Sequence, residues 1–268
     1  MSFFDTLRRR RLRNGPLPDR WHRCLEEQLP LFRQLSFADR EELLRHVQVF
    51  LHEKRFEGVG GVTVTEEMAL LIAAQACLLL LHRQGDYFPR MTSVVVYPGE
   101  FRSPRRDWDE AGVVTEWMDV RSGESFSGGT VVLSWEDVRL GLTEQWGGYN
   151  VVLHEFAHQL DEEDGIINGT PPMARELRPL FVEVMEREYG ALLAADEAGA
   201  ETFLDPYGAE HPSEFFAVAV ESFFTQPREL LRLHPDLYGV LARYFHQDPA
   251  LERTFADRET EGPERTGP

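Results

Sequence analysis

Positive charge is scarce in this chain of 268 residues. Lysine and arginine number 28 against 46 aspartates and glutamates, so the formal net charge is −18 and the isoelectric point lies near 4.9. A general nucleic-acid binder is excluded by that balance, as is an anionic membrane surface as main partner, since both need a basic face. Lys54 is the only lysine, which we read as compositional bias, not mechanism. Cysteine is almost missing: Cys24 and Cys77 lie far apart and neither sits in a Cys-x-x-Cys pair. Thiolate zinc sites and dithiol redox motifs are thereby excluded. Two isolated thiols in apolar helical contexts fit a reducing compartment. Long apolar runs are lacking too. Met68 to Leu81 is the most apolar stretch, is too short to span a bilayer and contains Gln75. After the basic run Arg8–Arg13, Asn14-Gly15-Pro16-Leu17-Pro18 stands where a signal peptide needs an apolar core. A cytoplasmic protein is expected.

What is present is ordinary for a globular chain: 42% hydrophobic and 28% charged residues, enough for one large domain or two small ones. Residues 1–18 read as a flexible basic arm. From Trp21 to Leu81 the apolar period is helical, with starts at Ser36, followed by Asp39 at the capping-box position, and at Thr65. Strands are expected at Ser93–Tyr97, Val113–Glu116 and Gly128–Trp135. Downstream, helices are expected over 172–195 and 213–224, the latter ended by Pro227, with two short helices after it. The fold class is α+β. Its parts are the arm, a helical region over 19–88, a catalytic domain with a small mixed sheet over 89–255, and a disordered acidic tail over 256–268.

One segment carries the chemistry. Val151 to Leu160 reads Val-Val-Leu-His-Glu-Phe-Ala-His-Gln-Leu. His154 and His158 are four apart, so on a helix they share a face and can offer two imidazole nitrogens to one ion. Glu155 lies at the edge of that face, within reach of a metal-bound water. That is the zincin arrangement of two ligands and a carboxylate base. Apolar flanks bury the helix, and buried polar groups need partners. Core histidines bonded to carbonyls would be the bland alternative.

A catalytic zinc takes a third protein ligand, and several acids compete. Asp164 follows at a metzincin-like offset, but Asp161 stands where that layout wants glycine. Asp205 is well explained as a turn residue. Glu214 and Glu221 share a face of the apolar helix 213–224, about 10 Å apart along its axis, so one would bind the ion and the other orient a ligand or line the cleft. Asp161 would either bond a ligand imidazole or cap the helix end.

The segment His154–Asp161, with Asp164-Gly165 and Asn168-Gly169, resembles the Mlc titration factor A family of zinc peptidases. So does Asp205-Pro206-Tyr207-Gly208-Ala209-Glu210-His211-Pro212-Ser213-Glu214, continuing to Val218. The Tyr-x6-Glu spacing also resembles the anthrax lethal factor catalytic domain. Similarity extends from about residue 20 to 252. The resemblance implies a zincin-like fold, one Zn²⁺, Glu214 as third ligand and Tyr207 as a catalytic residue. It also implies aminopeptidase-like cytoplasmic activity on peptide or protein substrates and, in enterobacteria, binding to the transcriptional repressor Mlc. On these residues Glu155 is the expected base and Tyr207 the oxyanion donor. Strand Thr130–Leu133, preceding the motif helix, is expected to offer free backbone groups to an extended peptide. A zincin-shaped protein that only sequesters a regulator is the competing expectation, and it has no use for Glu155.

Overall fold

The computed structural model describes residues 3–83, 85–108, 114–121, 123–126, 129–143 and 148–251. Four helices come first: α1 (Phe3–Arg13), α2 (Asp19–Gln28), α3 (Pro30–Arg33) and α4 (Phe37–Glu53). Strand β1 (Arg55–Gly58) and helix α5 (Glu66–Leu78) follow. The middle of the chain holds β2 (Ser93–Tyr97), β3 (Phe101–Trp108), β4 (Val114–Arg121), β5 (Gly123–Phe126) and β6 (Thr130–Ser134). The rest is helical: α6 (Trp135–Gly141), α7 (Val151–Asp161), α8 (Arg178–Glu197), α9 (Pro212–Thr225), α10 (Pro227–Leu233) and α11 (Pro235–Phe245).

Capping side chains set the expected starts. Ser36 Oγ accepts from the Asp39 backbone N–H, and Thr65 Oγ1 from that of Met68, both at 3.2 Å. Helix α5 is apolar on nearly every side and, Ala69 apart, is buried from Met68 onward, as a helix in the middle of a core should be. It packs against α2, α4 and α7.

The main sheet has the order β1-β2-β6-β5. β1 and β2 are parallel, as are β2 and β6, while β5 runs antiparallel to β6. Val94 pairs with Val131 and Val96 with Leu133, and all four are fully buried. This register turns one apolar face of the sheet toward the helices. β3 and β4 form a separate antiparallel pair. The architecture is α+β.

Three expectations are corrected. The arm over 1–18 is largely helix α1, because Arg9 makes a two-pronged ion pair with Glu53 on α4 at 2.8 and 2.9 Å and also bonds Asp86. Arg9 thereby docks α1 on α4, while Arg10 and Arg11 stay exposed. The region over 19–88 is not wholly helical, since β1 within it is an edge of the main sheet. Strand β6 offers no free edge, because β2 and β5 pair with it on both sides; β5 is the edge strand instead. Val113, Gly128 and the expected tail over 256–268 lie outside the described residues. Among the described residues no helix is long and apolar enough to cross a membrane.

Helix α7 carries its two faces into different company. Phe156 projects opposite to His154 and His158 and is fully buried. Its ring lies 4.9 Å from that of Phe88 and 5.7 Å from that of Phe50. Lys54, the only lysine, is buried at the end of α4, where Nζ donates to the carbonyls of Phe88 and Met91 at 2.8 and 2.7 Å. These bonds pin the segment between α5 and β2 behind the same aromatic cluster.

Replacing Phe156 with Ala should lower stability by about 3–5 kcal/mol, read by urea unfolding. Lys54 supplies a pH-dependent test. Burial pulls its ammonium down from 10.5 to about 8. The folded value lies below the unfolded one, so the folded state disfavours the charged amine. That penalty is complete below pH 8 and is relieved as pH rises toward 10.5. The neutral amine still has two hydrogens for its two carbonyls. The stability of the natural chain relative to Lys54→Met should therefore grow by about 2 kcal/mol between pH 7.5 and 10. A constant difference would show that the amine is solvated.

Candidate active site

The site is built where α7 crosses α9. Asn150 starts α7, its Oδ1 accepting from the Leu153 N–H at 3.0 Å. Its Nδ2 donates to Gln75 Oε1 on α5 at 2.8 Å, and its backbone N–H donates to Glu221 on α9. One residue thus ties three helices together. Helix α9 begins with His211 as cap, its Nδ1 accepting from the Ser213 N–H, and has Pro212 in its first turn. Its body is almost wholly buried.

The structure brings His154, His158 and Glu214 together. Their donor atoms are His154 Nε2, His158 Nε2 and Glu214 Oε2, separated by 3.0, 3.2 and 3.2 Å. Both imidazoles are 12% exposed and Glu214 is 21% exposed. Behind His154, Glu221 Oε1 lies 2.8 Å from Nδ1. A carboxylate only accepts, so Nδ1 carries a hydrogen and neutral His154 presents a lone pair at Nε2. Two imidazole nitrogens and a carboxylate oxygen then face one point, and together they could hold one metal ion.

The cluster answers its own crowding of acceptors with a proton on His154. Burial disfavours a charged His154, but the bonds to Glu214 and Glu221 outweigh it and hold the imidazole well above its usual range. Burial likewise works against ionised Glu214, and His154 and His158 overcome it, holding the carboxyl below the usual carboxylate range. A positive charge is therefore required in the cluster, and a metal ion can take the place of the proton.

The other expected residues fall into distinct positions. Glu155, next to His154 on α7, is 5% exposed, and its charge also favours the His154 imidazolium. Tyr207 is 42% exposed, with its ring 5.9 Å from that of His154. It follows Asp205, whose Oδ1 accepts from the Tyr207 N–H at 2.9 Å. Asp205 is thus a turn residue. Asp164 also turns the chain, accepting from the Ile166 N–H at 3.0 Å. Neither joins the three-residue cluster. Asp161 takes neither role foreseen for it. Fully buried, it accepts from the Gly169 and Thr170 N–H groups at 2.7 and 2.9 Å, folding the following loop back. Gly169 has φ +75°, and a side chain there would strike the Pro212 carbonyl at the start of α9. Asn150 was not singled out in the sequence, although Asn directly before an apolar run is a cap signal.

A model of the glucose-regulated metallo-peptidases M90 matches residues 4–246. An uncharacterized protein of Synechocystis is 39% identical over 246 residues, covering 91% of this chain and 90% of that protein. Mlc titration factor A of Yersinia pestis is 32% identical over 235 residues, or 85% and 84% of the two chains. The protein of that name from Yersinia pseudotuberculosis matches to the same extent. The similarity takes in the N-terminal helices, the sheet and the histidine-carboxylate cluster alike, and the chain belongs to the glucose-regulated metallo-peptidase M90 family, that of Mlc titration factor A.

Proposed function

We propose that this protein is a cytoplasmic zinc peptidase of the zincin type, with His154, His158 and Glu214 holding one Zn²⁺, and with aminopeptidase-like activity on peptide substrates. The reading rests on one observation above the others. Three donor atoms from two helices lie within 3.2 Å of one another, while Glu221 orients His154 from behind. The donor set fits the ion. Catalytic zinc is commonly held by two nitrogens and a carboxylate with one position open, whereas structural zinc is usually closed by four protein ligands, often cysteines. Bound there, zinc supplies Lewis acidity, which lowers the pKa of a water toward neutrality and polarises a carbonyl.

The chain's own residues do the rest. Glu155 takes the proton of the attacking water and passes it to the leaving amine. Its burial beside the cluster keeps that exchange out of bulk water. Tyr207, exposed at the rim beside the His154 ring, turns its hydroxyl to the developing oxyanion. Glu221 and Asn150 are positioning residues that keep the His154 ring in one tautomer and orientation. The edge strand β5, packed beside α7, is where an extended substrate would add its own backbone.

Relatives bear the name Mlc titration factor A, so a transcriptional regulator of the Mlc type is the protein partner we assign besides peptides. Sequestration alone would not call for a buried glutamate beside the cluster.

Glu155→Gln should retain as much zinc as the natural chain by elemental analysis and lose at least about a hundredfold in hydrolysis of chromogenic peptides. Full activity would remove the assignment of the base, and activity that survives a chelator would remove the metal mechanism. Glu214→Gln should weaken zinc binding more than Glu221→Gln, whose effect is expected at about 10–100-fold. The reverse order, read by competition with a chromogenic chelator, would make Glu221 the ligand.

A further inference from the structure

Among the described residues one other set of side chains brings metal-type donors within 4.8 Å of one another: Asp39, Glu42 and His82. Asp39 and Glu42 are three apart on α4 and so share a face. His82 comes from the turn after α5. Its Nδ1 lies 3.1 Å from the carbonyl oxygen of His246, which caps α11 in the left-handed conformation. A carbonyl only accepts, so Nδ1 carries the hydrogen and neutral His82 has a bare lone pair at Nε2. That atom faces Asp39 Oδ1 at 2.7 Å.

Two acceptors at this distance need a positive charge between them, either a proton or a metal ion. Glu42 brings a second carboxylate within 4.8 Å of both atoms, where it also pairs with Arg13 at 3.9 Å and meets His46 Nε2 at 3.4 Å. Asp39 is also held in place, its second oxygen accepting from Ser36 Oγ at 2.6 Å. The wiring repeats that of His154: an oxygen acceptor fixes Nδ1 from behind, and Nε2 is turned to a carboxylate. His82 also lines a cavity of about 1150 Å³ that reaches His46, Arg83 and Tyr244, so water can approach the cluster from the side of the ring.

We propose that Asp39, Glu42 and His82 bind a second divalent transition-metal ion, one that clasps α4, the turn after α5 and the end of α11 together. One nitrogen and two carboxylate oxygens suit Zn²⁺, Mn²⁺ or Co²⁺. The ion is remote in sequence from α7 and α9, and its role is to hold the N-terminal helices against the last helix.

The test is equilibrium dialysis of the full chain against Zn²⁺ followed by elemental analysis. Two ions per chain are expected. His82→Asn and, as the milder change, Glu42→Gln should each bind one. His154→Ala with His158→Ala should also bind one, and Zn²⁺ should raise the melting temperature of that double variant. Adding His82→Asn to it should abolish both binding and the shift. Zinc content in His82→Asn and Glu42→Gln equal to that of the natural chain would overturn the second site. If the first site fails instead, the double variant would bind as much zinc as the natural chain while His82→Asn loses an ion.

Discussion

A single imidazole, that of His154, is gripped at both nitrogens by one helix. Glu214 stands at Nε2 and Glu221 at Nδ1. Seven residues on an α-helix rise about 10 Å, so two carboxylates at that spacing can reach opposite edges of a ring lying between them. The grip fixes how far α7 lies from α9 and in what rotation, because sliding either helix would break both contacts. Glu221 extends the hold to the start of α7 through the Asn150 N–H, and Asn150 extends it to α5 through Gln75. The polar chain Gln75–Asn150–Glu221–His154–Glu214 therefore crosses three helices of the core.

Such a chain would be costly in an apolar interior if any member lacked its partner. Around it stand Phe215, Phe216, Val218, Phe223 and Phe224, all buried. Glu214 remains ionised there, against the cost of burial, because the two imidazoles compensate it, and His154 holds its proton through the same contacts. Removing one partner would leave a buried charge uncompensated, whereas exchanging the proton for a metal ion preserves the balance. On the far face of α7, Phe156 locks the helix into rings from α4 and the segment before β2. Rigid apolar packing on one side and a closed polar network on the other give the histidines little freedom, which a site that must hold donors in fixed geometry requires.

What the sequence made legible was local. Ser36, Thr65 and the 3.6-residue period announced α4 and α5, and His154, Glu155 and His158 on one helix needed only the spacing of four. The apolar context of Glu214 and Glu221 marked both as acids in need of partners, yet their different roles came from the rotation of α9 against α7, which spacing alone leaves open. The misread parts depend on distant residues. The arginine run looked like a solvated arm because its counter-charge, Glu53, lies 44 positions from Arg9. Lys54 looked like a trace of composition because its acceptors are carbonyls more than thirty positions away. The strand before the motif helix was taken for an edge because parallel pairing needs long crossovers, and β5 carries no strong alternation of its own. Asp161 could have capped or oriented. The loop that it holds returns only through Gly169, a glycine whose need for positive φ is invisible until the Pro212 carbonyl is seen beneath it.

His154 and His82 each carry a hydrogen on Nδ1 but differ in what fixes it, and this separates their chemistry. His154 donates to a carboxylate in the core, so negative charge behind the ring makes its Nε2 the more basic and the stronger donor. His82 donates to a neutral backbone carbonyl at the rim, which orients the ring but adds little basicity. The first arrangement suits an ion that must polarise a reactant in a shielded place; the second suits an ion that joins segments and can be exchanged.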